Sequence, residues 1–212
     1  QARVICIGDV HGCITEVCNL LRKVEYNPGD QVVFLGDLVD KGPSPERVIE
    51  LAMDIGALSV RGNHDDAVVK ERKLSSHLYI ACILTDKQIE WLSQLPYYIQ
   101  CIDLNSIFVH AGINSNIMNL TQQEPWVLMT MRSKLPSGKI TARALSDHPW
   151  ANTYTGPKTI YFGHDTARGL QVFPHAYGID TGCVYGGNLT AVVLPQQEIV
   201  SVPAEQIYHK FK

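Results

Sequence analysis

Asp, His and Asn recur beside glycine at separated points of this 212-residue chain. Asp9 and His11 form the first group, Asp37 and Asp40 the second, and Asn63, His64 and Asp65 the third. His110 and His164 follow later. Each group comes directly after a short apolar run. In open α/β sheets the carboxyl ends of strands face one crevice, so these side chains are predicted to meet. Oxygen and imidazole donors without thiolate suit Mn²⁺, Fe or Zn²⁺. Two such ions about 3.5–4 Å apart form a clamp for in-line attack at phosphorus. Asp9 and Asp37 leave part of the positive charge of two divalent ions unneutralised, which attracts phosphate and activates water. Asp37 is the natural candidate to bridge both ions.

Short buried strands are expected to hold these residues. Val4-Ile5-Cys6-Ile7, Val32-Val33-Phe34-Leu35 and Ala57 to Val60 are apolar runs closed by turns. Ile14, Val17, Cys18, Leu21 and Val24 recur at helical spacing, predicting a helix over 14–24. Asn27-Pro28-Gly29-Asp30 predicts a turn. Ser44-Pro45-Glu46 reads as a capped helix start, with the helix ending at Gly56. Thr85 and Gln88 predict a capping box on a helix closed by Pro96. Alternating strands and helices of this kind predict parallel βαβ crossovers. Ile107-Phe108-Val109 is a further strand. Strands are also expected at 159–162, 178–180, 189–194 and 198–202, with antiparallel pairing. Residues 114–155 read as a helical and looped excursion, a candidate lid over substrate, within a single domain spanning 1–212.

The charge balance narrows the partners. Eighteen Lys+Arg against 21 Asp+Glu give a net charge of −3, with no basic stripe. No dedicated nucleic-acid surface and no membrane association are therefore expected. The six cysteines are scattered and form no CxxC pair, so they read as reduced core residues. That usage favours a reduced, cytoplasmic compartment. The sequence opens on Gln1, so it is expected to be a trimmed piece, and 70–76 is the stretch where residues could be missing. His77, His148, His175 and His209 fall outside the motifs and read as structural or exposed. Trp126, Trp150 and Tyr154 read as core residues before base-stacking ones.

Gly8-Asp9-Val10-His11-Gly12, Gly36-Asp37-Leu38-Val39-Asp40-Lys41-Gly42, Arg61-Gly62-Asn63-His64-Asp65 and His110-Ala111-Gly112 occur in that order. Together they resemble the signature of calcineurin-like, phosphoprotein-phosphatase-type metallophosphoesterases. Phe162-Gly163-His164-Asp165 and the run Gly178-Ile179-Asp180-Thr181-Gly182-Cys183-Val184-Tyr185-Gly186-Gly187 narrow the likeness. They resemble symmetrical diadenosine tetraphosphatases and their ApaH-like relatives. The resemblance implies an αββα sandwich of two mixed sheets flanked by helices. It implies that Asp9, His11 and Asp37 hold one divalent ion and that Asp37, Asn63, His110 and His164 hold a second. Mn²⁺ is favoured, with Fe, Zn²⁺, Co²⁺ or Mg²⁺ as alternatives. His64 would be the general acid, oriented by Asp40. Arg61, Lys41, Arg132 and Tyr185 would contact a small phosphorylated substrate. Lys41 stands where protein phosphatases usually carry arginine, giving a point charge in place of a fork. Asp65 is left between helix cap and support of the site, and Cys183 reads as packing.

The expected reaction is symmetrical hydrolysis of diadenosine tetraphosphate to two ADP. A protein Ser/Thr phosphatase, a polyphosphate or RNA-cap hydrolase, and a non-catalytic scaffold on the same fold are the alternatives.

Overall fold

Side chains alternate across a strand, and the first strand shows what each face does. The computed structural model describes residues 2–73, 83–117 and 119–210. In β1 (Val4–Ile7), Ile5 and Ile7 pack under helices while Cys6 faces a second sheet. The helices above it are α1 (Ile14–Lys23) and α2 (Pro45–Asp54), which bury Val17, Leu20, Leu21, Val48, Ile49 and Ala52. β2 (Gln31–Phe34) and β3 (Leu58–Ser59) follow, then α3 (Asn63–Lys73) and α4 (Asp86–Ser93).

The first sheet has the order β12-β11-β1-β2-β3. β1, β2 and β3 are parallel, as the sequence predicts, with Ile7 opposite Phe34. β11 (Asn188–Leu194) runs antiparallel to β1, and β12 (Glu198–Pro203) antiparallel to β11. The second sheet has the order β4-β5-β8-β10-β9. Its strands are β4 (Tyr98–Cys101), β5 (Ser106–Val109), β8 (Thr159–Phe162), β9 (Gln171–Phe173) and β10 (Ala176–Gly178). Cys6, Val33, Leu35, Val60, Phe108, Tyr161, Ile179 and Val192 fill the space between the sheets. Two mixed sheets flanked by helices result, the expected sandwich.

Several local expectations hold. Thr85 Oγ1 accepts from the Gln88 amide at 3.2 Å, and Gln88 Oε1 from the Thr85 amide at 2.9 Å. The Asp30 amide closes the predicted turn on the Asn27 carbonyl at 2.9 Å. Others need correction. Ser44 precedes α2, but its side chain makes no cap hydrogen bond. β8 runs parallel to both β5 and β10, not antiparallel. The segment joining β5 to β8 is long enough for a crossover, so no hairpin is imposed. The strand expected at 178–180 is β10, ending at Gly178, because the chain turns there to bring Asp180 into the site.

The 114–155 segment carries α5 (Pro125–Thr130), the hairpin of β6 (Ser133–Lys134) and β7 (Ile140–Thr141), and 3-10 turns at Leu120–Gln122 and Trp150–Thr153. It buries Val127, Leu128, Met131 and Trp150 against Ile107, Val109, Ile160 and Phe162. It is thus the outer layer of the second sheet, and it also lends Arg132 and Ala144 to a cavity wall. Trp150 and Tyr154 belong to that core, as predicted, whereas Trp126 is 46% exposed. Cys6, Cys13, Cys18, Cys101 and Cys183 are free thiols, with Cys18 exposed against the core reading. Cys82, His77 and residues 74–76 lie outside the described residues. Among the described residues no helix is long and apolar enough to cross a membrane.

Phe108 is buried between the sheets and stacked on Tyr161, with ring centroids 5.5 Å apart. Phe108→Ala is expected to cost about 3–5 kcal/mol of stability. Urea unfolding would measure it.

Candidate metal centre

Asp37 follows β2, where the chain must turn at once. Its φ is 51°, in the left-handed region that L residues rarely adopt. His11, Asp40, Lys41 and His164 share that strained sign, at 47°, 69°, 66° and 65°. Such conformations persist where surroundings over-determine them. Here the surroundings are hydrogen bonds. The Asp65 carboxylate accepts from the amides of Asp37 at 2.8 Å, Leu38 at 2.9 Å and Gly62 at 2.9 Å. The Asp37 carbonyl accepts from the His11 amide at 2.8 Å. Asp65 therefore supports the site and is more than a helix cap. Two glycines allow the close approach. A Cβ on Gly62 would stand 2.1 Å from Asp37 Oδ1, and one on Gly163 would stand 2.0 Å from Asp9 Oδ1.

All six residues expected from the sequence to hold metal meet in this place. Asp37 Oδ2 lies 3.6 Å from His11 Nε2 and 3.5 Å from His110 Nε2. Asn63 Oδ1 is 3.1 Å from His110 Nε2. The His110 and His164 rings are 5.0 Å apart, and Asp9 Oδ1 accepts from the His164 amide at 2.9 Å. Asp37 thus sits between the His11 side and the His110–His164 side. That is the central position predicted for it.

The hydrogen bonds behind the imidazoles decide which nitrogens face inward. A carbonyl can only accept, so a ring nitrogen beside one carries the proton. His11 Nδ1 donates to the Val39 carbonyl at 2.9 Å, and His110 Nδ1 to that of Leu35 at 2.7 Å. His164 Nε2 donates to the Thr130 carbonyl at 3.2 Å. The other nitrogen of each ring is left with a lone pair. On His110 that lone pair meets the acceptor oxygens of Asn63 and Asp37. Burial lowers the pKa of His110 and His164, and lowers His11 to about 4, so protons do not fill the gap near neutral pH. At His110 a lone pair and two acceptor oxygens converge without a proton between them, which fits a divalent cation.

The carboxylates give the same indication. Asp9, Asp37, Asp65 and Asp180 are all buried. Burial, then Asp180 and Asp37, push Asp9 well above the ordinary carboxylate range. Burial raises Asp65 to about 7 and Asp180 to about 6. Asp37 is also pushed up by burial, but His110, His11, His64 and His164 outweigh it and hold it low. Asp180 is in hydrogen-bond contact with Asp9, beside the site, where the resemblance of the Gly178–Gly187 run puts it.

Beside the cluster, His64 Nδ1 is 2.7 Å from Asp40 Oδ2. Burial lowers the His64 pKa, but the Asp40 hydrogen bond and the Asp37 charge outweigh it and raise the value. Lys41 Nζ is 3.2 Å from His11 Nε2 and lies 5.4 Å over the Tyr185 ring. Arg132 donates to the carbonyls of His164 at 3.1 Å and Ala142 at 3.0 Å. Lys41, Arg132 and Tyr185 line one cavity of about 410 Å³. Arg61 does not join them. Its guanidinium donates to the Ser93 carbonyl, pairs with Asp66 at 3.3 Å and stacks over Tyr97. It ties α3 to α4 on the far side of the turn, which corrects its placement at the substrate. His209, half-buried, lines the same cavity, with Lys210 beside it. Cys183 is buried, and its Cys13 contact and burial push its thiol far up, as suits packing.

Cations held here bind only the folded chain, so they stabilise it by mass action. A divalent ion at about 100 times its Kd is expected to add about 2.7 kcal/mol. Asp37→Asn is expected to remove most of the resulting rise in Tm, together with metal content by elemental analysis.

Comparison with known proteins agrees with this geometry. The family model for calcineurin-like phosphoesterases matches residues 2–193. The chain is 29% identical over 230 residues to a protein of Oceanobacillus iheyensis named asymmetrical bis(5'-nucleosyl)-tetraphosphatase PrpE, covering 94% of this chain and 92% of the relative. A protein of that name from Halalkalibacterium halodurans is 30% identical over 247 residues, covering 97% and 96%. A crystal structure described as that of a candidate diadenosine tetraphosphatase superposes with a TM-score of 0.90 at 39% identity, covering 96% of this chain and 94% of the other. A family match over most of the chain, on a fold that collects these donors at one sheet end, makes the assignment: the chain belongs to the calcineurin-like phosphoesterases, hydrolases that use a dinuclear divalent metal centre.

Proposed function

We propose that the protein hydrolyses a dinucleoside tetraphosphate. The observation that carries this reading is Asp37 Oδ2 lying between His11 Nε2 and His110 Nε2, at 3.6 and 3.5 Å, with the His64–Asp40 pair beside it. Asp9, His11 and Asp37 are the residues to hold one divalent cation, and Asp37, Asn63, His110 and His164 a second. Bound there, the cations supply Lewis acidity at phosphorus and lower the pKa of water.

The chain's own groups do the rest. Asp40 keeps the proton of His64 on Nδ1, so Nε2 is the nitrogen that titrates and faces the reaction. A raised pKa keeps that nitrogen protonated near neutral pH, ready to protonate the departing oxygen. Lys41 and Arg132 offset phosphate charge at the cavity mouth. Tyr185 forms part of the wall.

The sequence leads to the expectation of a symmetrical cut. The named relatives support the asymmetrical one, which gives a nucleoside triphosphate and a monophosphate. We adopt the asymmetrical cut. Ion-exchange analysis of products from diadenosine tetraphosphate, with Mn²⁺-loaded enzyme, is expected to give ATP and AMP in equal amounts. Two equivalents of ADP would restore the symmetrical cut, and no cleavage would overturn the substrate.

His64→Asn is expected to lower kcat by about 10²–10⁴-fold while leaving the cation-dependent rise in Tm in place. For pH, the acid works only when protonated, so activity falls as pH rises through the His64 pKa. Asp40 raises that pKa. Asp40→Asn is therefore expected to shift the alkaline limb of kcat/KM to lower pH.

A further inference from the structure

Two cavities share Lys41 and His209 in their walls, and their charges differ. The first, about 410 Å³, is lined by the cations Lys41, Arg132 and Lys210, with no carboxylate among its lining residues. The second, about 790 Å³, is lined by the carboxylates of Asp40, Glu46 and Glu71, with Pro43, Pro45 and Ala67 between them. Both volumes lie in the range of small-molecule sites.

Each cavity meets the centre through different groups. The first does so through Lys41, 3.2 Å from His11 Nε2, and Arg132, 3.1 Å from the His164 carbonyl. The second does so through Asp40, 2.7 Å from the His64 imidazole. His64 lines neither cavity, but its hydrogen bond to Asp40 ties the proton donor to a wall residue of the acidic one.

Electrostatics then sorts the substrate. A run of phosphates is favoured among three cations and opposed among carboxylates, which instead suit ribose hydroxyls and base amino groups. We infer that the acidic cavity takes the nucleoside of the departing monophosphate, while the cationic cavity holds the other nucleotide with its three phosphates. This rests on the dinucleoside tetraphosphate reading above. Water's oxygen then bonds to the terminal phosphorus of the retained three. The bond from that phosphorus to the bridging oxygen breaks. The bridging oxygen leaves on the monophosphate with the proton from His64, and water's surplus proton restores the imidazole. The net change is one water consumed, one triphosphate and one monophosphate released.

Lys210 reaches this place by a tie at the far end of the chain. Glu16, buried in α1, accepts from the Glu205 amide at 2.9 Å and the Tyr208 hydroxyl at 2.8 Å. The segment carrying His209 and Lys210 is thereby held against the site.

The test is turnover of diadenosine tetraphosphate in ¹⁸O-labelled water, with mass analysis of the separated products. Label confined to the terminal phosphate of ATP is expected. Label in AMP, with cleavage intact, would overturn the assignment of the two cavities and leave the proposed function standing. Two ADP would overturn the three-to-one division. Absence of any cleavage would remove the proposed function and this inference with it. Lys210→Glu is expected to raise KM about tenfold with kcat held, since about one charged hydrogen bond is lost. An unchanged KM would overturn the role of the cationic cavity.

Discussion

The position of one carboxylate governs this molecule. Asp37 must leave a buried strand, reverse direction and present an oxygen to imidazoles from two different parts of the chain. It does this with a left-handed backbone, held by the Asp65 carboxylate beneath it. Bare Gly62 gives it room, since any larger residue would overlap Asp37 itself. The parallel register of β1, β2 and β3 sets the Asp9, Asp37 and Asn63 loops side by side at one sheet end. Removing any of these supports would move the same oxygen.

The sandwich brings the remaining donors from its other half. β5 and β8 lie side by side in the second sheet and end at His110 and His164. The Gly163 amide donates to the His110 carbonyl at 2.7 Å, and the His110 ring reaches back across the interface to the Leu35 carbonyl. The centre is therefore built on the seam between sheets. The apolar layer of Cys6, Val33, Phe108 and Tyr161 sets the spacing of that seam. Packing energy in the core and geometry at the centre are one quantity seen at two depths.

Much of this was legible in the sequence because strand ends are marked twice, by apolar runs and by glycine. The six donor positions follow from that marking and the His64–Asp40 pair from the family resemblance, and the structure brings them together. What was not legible depends on direction and distance. Arg61 adjoins the Asn63–His64 pair, yet Gly62 turns the chain between them, so the guanidinium faces Asp66 and Tyr97 instead. β4 carries half-buried residues after a proline and gave no alternation to read. For β8, alternation and short turns pointed to antiparallel pairing, but the long connection from β5 permits either direction. His209 and Lys210 had no motif. Long-range contacts place them: the Tyr208 hydroxyl reaches Glu16, and the Tyr208 and His209 amides donate to the Val184 carbonyl at 3.1 and 2.9 Å.

Those contacts separate two properties of the enzyme. The donors at the strand ends are fixed by backbone strain and by one another, so they tolerate little change. The segment of His209 and Lys210 is held by hydrogen bonds to one Glu16 oxygen and to the Val184 carbonyl, while the other oxygen of the Glu16 carboxylate has no partner among the described residues. The wall is therefore joined to the core by a few hydrogen bonds, whereas each donor is held from several sides. A change confined to this segment can reshape the cavity without touching a donor residue.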